Sequence, residues 1–248
     1  MHLYQYPERA RLNRAIPKSV LYTQGQASNR IQQLFVEQVE SIHWQYKLSS
    51  STVNMQDEEN FKEIQIFSIV SRIPELNLEV LKYIDQIILS PIIFEVVYEN
   101  KVKVVAAYKR LNQVDKTKVV LGNYYASDWI AVDRNRIELP IYLRLKQLYE
   151  HFIEQLLPVY GDDKTKEYRE PQEIGHLGHE MAVPPRMTNA VDQESLSLED
   201  KLQRVEEIEQ LKRQLTRLKA ALRRERQFNR KVAINQQIKS LEKQILEI

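Results

Sequence analysis

The sequence predicts an α+β fold: a mixed, mostly antiparallel sheet of four or five strands with helices mainly on one face, followed by a C-terminal coiled coil. Three observations carry that prediction. Between about residues 63 and 132, runs rich in Val, Ile and Tyr are broken once by a stretch of helical period. Amphipathic helical spacings flank this region on both sides. Beyond residue 205, Ile and Leu recur at alternating steps of three and four, the seam of a coiled coil. A chain with 43% apolar and 28% charged residues but only 5 Gly in 248 suits such a helix-rich architecture.

In order along the chain, Ile31, Leu34, Phe35, Val39 and Ile42 lie along one helical face, with Ser28 or Asn29 placed to cap a helix running to about Trp44. After the polar stretch SSSTVNMQDEEN, the run KEIQIFSIVSRI reads as a half-buried strand beginning near Ile64. Leu78, Leu81, Ile84, Ile87 and Ile88 then mark an amphipathic helix, entered after Pro74 and ended before Pro91. PIIFEVVY and KVKVVAAYKRL, joined by ENK, form a hairpin, and a further strand is expected across TKVVLGNYYASDWIAV. A strand, a helix and a second strand imply a parallel crossover, right-handed in about 98% of cases. LPIYLRLKQLYEHFIEQLL closes the domain as another helix. From Pro158 to about residue 195 no period is sustained and three of the five Gly occur, which reads as a linker. The expected organisation is a domain over 1–157, a linker over 158–195 and a coiled coil over 196–248.

In that last segment Ile208, Leu211, Leu215, Leu218 and Leu222 follow one register, and Ile234, Ile238, Leu241, Ile245 and Ile248 resume the rhythm. Between them the seam lapses, because the first register would place Glu225 and Asn229 at apolar positions. Two helices folded back near Arg226 to Arg230 would put the charges at a tip, while the absence of Gly and Pro there also fits one continuous helix in a dimer.

Charge and composition narrow the function. The formal net charge is +2, but from Glu199 onward 13 Lys and Arg face 8 Asp and Glu, a balance of +5, leaving about −3 for the rest. Any basic face therefore belongs to the tail. The chain has no Cys, which excludes disulfides, thiolate catalysis and cysteine-ligated zinc and makes a reducing compartment the expected home. The first residues lack the apolar centre of a signal peptide, and no window approaches the roughly 18 to 20 apolar residues of a membrane span, so a cytoplasmic protein is expected.

Several ordered segments carry a resemblance. AIPKSVLY, LFVEQVESIHWQYKLSSSTVN, IQIFSIV, PIIFEVVYE, YYASDWI and LYEHFIEQL together resemble the bacterial and archaeal family DUF4391 over about residues 10 to 157, and RRERQFNRKVAINQQIKSLEKQI is similar to the tails of its members. The resemblance brings no catalytic residues with it. It implies, through the DNA methyltransferases and helicase-like restriction subunits often encoded beside family members, an accessory role in DNA restriction or phage defence.

The candidate chemistry is weighed residue by residue. A metal-dependent nuclease needs carboxylates and a Lys gathered at one sheet end. Glu37, Glu40, Glu63, Glu95 and Lys109 supply the residue types, and Glu63 with Glu95 is the pair such a reading would use, but the acid-x-Lys spacing occurs only at Glu99 to Lys101, in a hairpin turn. HLGHE offers His176, His179 and Glu180 as zinc ligands without the His-Glu-x-x-His order. HWQYKLSSSTVN groups Trp44, Tyr46, Lys47, Ser49 and Thr52, better read as Trp44 and Leu48 sealing a helix end above capped turns than as a pocket. GNYYASDW, with Tyr124, Tyr125, Asp128 and Trp129, has the composition of a base-stacking platform but reads as core and cross-strand pairs. No phosphate-cradling Gly motif is present, so no cofactor and no metal are expected. Arg223, Arg224, Arg226, Arg230 and Lys231 against Glu225 give +4 within nine residues, enough for several phosphate contacts.

The apolar seam outweighs the basic stretch, because its Ile and Leu positions would otherwise stand in water. The expected function is a non-catalytic interaction subunit, its partner surface formed by Ile208, Leu211, Leu215, Leu218, Leu222, Ile234, Ile238, Leu241 and Ile245. The partner would be a second copy or another protein, which the resemblance implies to be a methyltransferase or helicase-like subunit. A divergent nuclease using Glu63 and Glu95, and a nucleic-acid binder acting through the basic tip, are the alternatives.

Overall fold

The computed structural model describes residues 2–158 and 196–247, divided into two compact units. Residues 159–195 of the predicted linker, with His176, His179 and Glu180, and the seam residue Ile248 lie outside the described residues. The first unit begins with β1 (Tyr4–Gln5), a 3-10 turn (Glu8–Ala10), β2 (Arg11–Ala15), α1 (Lys18–Gly25) and α2 (Asn29–Gln38). It continues through β3 (Val39–Ser49), the short α3 (Ser50–Val53), β4 (Glu63–Ser71) and α4 (Leu78–Ile87). Then follow β5 (Ile92–Tyr98), β6 (Lys101–Leu111), β7 (Val119–Ala126), β8 (Ile130–Ala131), β9 (Ile137–Glu138) and α5 (Leu145–Glu154).

The main sheet has the order β2-β3-β4-β5-β6-β7, with β8 beside β6, and is broader than the four or five strands expected. All its pairings are antiparallel except β4 with β5, which α4 joins as the predicted crossover. The hairpin turn is the two residues Glu99 and Asn100 between the paired Tyr98 and Lys101, with Glu99 at φ 51°. A small parallel pair of β1 and β9 ties the N-terminus to the segment before α5.

The extra width comes from β2 and β3. The helix expected to reach Trp44 ends at Gln38, and residues 39–49 form a strand instead. The reason is a register shift between Val39 and Ser41. An inserted residue lets two positions three apart face the same side of a sheet. Val39 and Ile42 both enter the core this way, so their spacing imitates a helix. Trp44 and Leu48 therefore do not seal a helix end; Trp44 packs edge-on against Phe67 of β4, with ring centroids 6.3 Å apart.

One face of the sheet carries α1, α2 and α4 over a core including Leu21, Phe35, Phe67, Leu81, Ile84 and Phe94. The three helices fit closely. A Cβ on Gly25 would stand 2.4 Å from the Tyr83 hydroxyl and 2.6 Å from Ile87, so the end of α1 approaches α4 only because glycine is there. The other face carries α5, which buries Leu145, Leu148, Tyr149 and Phe152. Adjacent residues of β6 separate the two faces: Lys109 reaches α4, whereas Tyr108 stacks on Tyr149 of α5 at 6.0 Å.

The second unit is a helical hairpin of α6 (Leu198–Arg224) and α7 (Phe228–Glu247), packed against each other. Lys219 pairs with Glu242 across it at 2.8 Å. The turn needs neither Gly nor Pro. Glu225 is extended (φ −71°, ψ 135°), and its Oε1 accepts the N–H groups of Arg226 and Gln227 at 2.8 and 2.9 Å. The carboxylate thus satisfies the two backbone donors of the turn just before α7. These backbone bonds, from Gln227 and Arg226, hold the Glu225 carboxyl below its ordinary value of 4.5. Among the described residues, no helix is long and apolar enough to cross a membrane.

Candidate functional site

The buried charged side chains of the first unit, Asp85, Glu95 and Lys109, are built into separate hydrogen-bonded networks. Under α4, Lys109 Nζ donates to Asp85 Oδ1 at 2.6 Å and to the carbonyls of Asp85 and Ile88 at 3.2 and 2.8 Å. Those carbonyls belong to the last turn of α4, where a cation complements the helix dipole. Tyr124 donates to the second Asp85 oxygen at 2.5 Å. Burial pushes the Asp85 carboxyl up and the Lys109 ammonium down, and their mutual attraction opposes both shifts. On the far side of β6, the Tyr149 hydroxyl accepts from Lys109 N–H at 2.9 Å and donates to Ala107 O at 2.8 Å. Its burial raises the phenol well above its ordinary value. With three Nζ bonds made and both Asp85 oxygens engaged, this network acts as an internal cap that fixes α4 on the sheet.

Lys18 does the same for α2, its Nζ donating to Phe35 O at 3.0 Å and also to Val39 O. Helices α2 and α4 thus each end on a lysine from another element.

Glu63 and Glu95, the pair a nuclease would use, are not brought together. Glu63 stands at the start of β4, where Ser90 and Gln65 donate to Oε1 at 2.7 and 2.8 Å and Lys47 pairs with Oε2 at 2.7 Å. Glu95 lies in mid β5 and forms a two-pronged pair with Arg136 at 2.9 and 2.8 Å. In the parallel register Gln65 sits opposite Ile92, so Glu63 and Glu95 are five positions apart along the strands, roughly 16 Å. Lys109 belongs to Asp85, and both Glu37 and Glu40 are exposed, the first on α2 and the second on β3. No group of three metal-ligating side chains forms among the described residues.

The Glu95 and Arg136 pair continues into an aromatic and polar layer. Arg136 also donates to Tyr4 O at 3.0 Å, Tyr6 hydrogen-bonds Glu95, and Tyr4 meets His151 Nε2 at 2.7 Å. Burial lowers the His151 imidazole, which favours its neutral form. The segments GNYYASDW and HWQYKLSSSTVN make contacts within the fold. In GNYYASDW, Tyr124 serves Asp85, Tyr125 is buried, and Trp129 lies beneath Lys103 with Nζ 4.5 Å from the ring centre. In HWQYKLSSSTVN, Thr52 Oγ1 accepts from Ser49 N–H at 2.8 Å and donates to Lys47 O at 3.0 Å, a capped turn.

Sequence reasoning missed the buried network, though part of it left a signal. Asp85 follows Leu81 by four residues and Ile84 by one, which places a carboxylate on the apolar face of α4. Lys109 left none, since its partner is 24 residues away.

The seam of the hairpin is only partly covered. Leu211, Leu215, Leu218, Leu222, Ile234, Leu241 and Ile245 are only half-buried, while Ile208 and Ile238 are buried. Between α6 and α7 runs a groove of about 460 Å³ lined by Gln214, Arg217, Leu218, Gln237, Leu241 and Gln244. At the tip Arg223, Arg224, Arg226, Arg230 and Lys231 are all exposed.

The chain belongs to the DUF4391 family, whose model, described as "Domain of unknown function (DUF4391)", matches residues 5–245. The match covers the hairpin as well as the globular unit. No curated protein and no solved structure matches the chain.

Proposed function

We propose that this DUF4391 member is an interaction subunit that binds a protein partner through its C-terminal hairpin. The observation that carries the reading is the half-covered seam. Two helices alone leave Leu211, Leu215, Leu218 and Leu241 partly in water, and a contiguous apolar stripe of this kind marks a docking surface. Within the globular unit the buried charges are paired, Asp85 with Lys109 and Glu95 with Arg136, which supports a scaffold role for it. The assembly in which such a subunit would act is the one suggested by its family's gene neighbourhood, DNA restriction or phage defence. Affinity purification from the native host tests this, comparing the full chain with one ending at Leu196. Recovery of a methyltransferase or helicase-like subunit only with the full chain is the expected result; a tail-independent monomer that retains neither would refute it.

The exposed tip favours a second reading, contact with nucleic acid. Five basic side chains face water there, and the one acid among them, Glu225, is turned onto the backbone of Arg226 and Gln227. Binding to duplex DNA that weakens steeply with salt and with neutralisation of Arg223, Arg224 and Arg226 together is expected; binding indifferent to both would discard it.

A further inference from the structure

We infer that the partner seated on the hairpin seam is the hairpin of a second copy of this chain, docked antiparallel so that the tip of each lies over the base of the other. The inference rests on the reading of the hairpin as an interaction surface and names its occupant.

Two features of the hairpin argue for it. The first is the seam itself: half-buried Leu215, Leu218, Leu222, Ile234, Leu241 and Ile245 present one apolar stripe from both helices. Two such stripes facing each other complete a four-helix bundle, the smallest arrangement that covers both. The second is the distribution of charge. Residues 199–211 carry Glu199, Asp200, Glu206, Glu207 and Glu209 against Lys201 and Arg204, a net −3. Residues 212–231 carry nine Lys and Arg against Glu225, a net +8. The rest of α7 is balanced, with Lys239 and Lys243 against Glu242 and Glu247. The hairpin therefore has a basic tip and an acidic base on α6. Parallel docking would stack +8 on +8 at one end; antiparallel docking places each basic tip beside the other copy's acidic base, and flanking charges of this kind set partner and orientation in helical bundles. Glu207 and Ala221 both flank the seam, each one residue before a seam position, Ile208 and Leu222. In the antiparallel arrangement they approach each other across the two copies.

The absence of Cys from the chain makes the arrangement directly testable in the full-length protein. The wild-type mass in solution is expected to be twice the 29.5 kDa of the chain. An oxidised mixture of the Glu207→Cys and Ala221→Cys proteins should form a disulfide-linked dimer, and neither variant alone should do so efficiently. Reversing Glu206, Glu207 and Glu209 to Lys should shift the dimer to monomer with the seam untouched. That variant keeps the test independent of any seam substitution that disturbs the hairpin. Efficient linking of Ala221→Cys to itself, or charge reversal without effect, would overturn the antiparallel arrangement. A monomeric wild type would overturn self-association altogether. If that monomer still retains another protein through its tail, the interaction reading stands and this inference alone fails; if it retains none, both fail.

Discussion

In the globular unit Ile84 and Phe94 are completely buried, and even the charged pair Asp85 and Lys109 is only 1% and 2% exposed. Along the hairpin, by contrast, Leu211, Leu218 and Leu241 remain half-exposed, and the bases of the tip all face water. The globular unit has a closed core with a buried ion pair inside it; the hairpin buries Ile208 and Ile238 but leaves most of its seam partly in water. Burying a charge is costly unless it is paired and fully hydrogen-bonded, so the Asp85 network has meaning only as part of a finished core. An open apolar stripe is costly in the opposite sense, since it stays in water until something covers it. The difference separates a unit with a finished core from a hairpin with a partly open seam, and each half of that comparison can be broken by substitution.

The largest effect is expected at the buried pair. Lys109→Met leaves Asp85 without its cation and strips the last turn of α4 of its cap, and breaking a buried pair in this way costs about 3–5 kcal/mol. Both Trp residues, Trp44 and Trp129, lie in the globular unit, so their fluorescence during urea unfolding reports this unit alone. Replacing both members, Lys109→Met with Asp85→Asn, should recover part of the loss because no unpaired charge remains. A Lys109→Met protein within about 1 kcal/mol of wild type, the range of an ordinary substitution, would show that the network is incidental.

A smaller loss is expected from Tyr149→Phe. The ring keeps its packing against Tyr108 and Phe61, but the hydroxyl that bridges Lys109 N–H and Ala107 O is gone. Leaving buried backbone groups unsatisfied costs about 1–3 kcal/mol. The same fluorescence measurement reads it, and a variant as stable as wild type would mean that water or a backbone adjustment replaces the bridge.

These two positions also show what the sequence can and cannot announce. Helices α4 and α5 are legible because their apolar residues keep one period from end to end, and the β5 and β6 hairpin because two Val-rich runs flank a short polar turn. Strand β3 is not, because its register shift converts alternation into a three-residue step, the signature of a helix. Strand β2 offers no alternation at all, since every residue from Arg11 to Ala15 is exposed at the edge of the sheet. In the hairpin, the lapse of the seam at Glu225 marks the place where the chain turns, and the carboxylate that spoiled the heptad accepts the two backbone N–H groups of that turn. The open seam of the candidate surface was legible for the same reason that α4 was, a constant period. The pairings Asp85 with Lys109 and Glu95 with Arg136 were not, because they join residues 24 and 41 positions apart, a separation that no local pattern encodes.

The smallest effect is expected at the rim of the sheet, where Glu63 is half-buried among Lys47, Ser90 and Gln65. Burial alone would raise its pKa, but the hydrogen bonds from those three side chains outweigh burial and hold the carboxyl below its ordinary value of 4.5. The folded state therefore binds this proton less readily than the unfolded chain does. The stabilisation from ionised Glu63 is fully present above the unfolded value of 4.5 and is lost as the pH falls through the lower, folded one. Wild type and Glu63→Gln should thus differ most near neutral pH, with the gap closing as unfolding is measured at successively lower pH below 4.5. Lys47→Met should shrink the gap, since it removes one of the groups that holds the charge. A gap that stays constant from neutral pH to well below 4.5 would mean that Glu63 contributes through its shape and not its charge, and the rim would then be as indifferent to ionisation as the apolar core behind it.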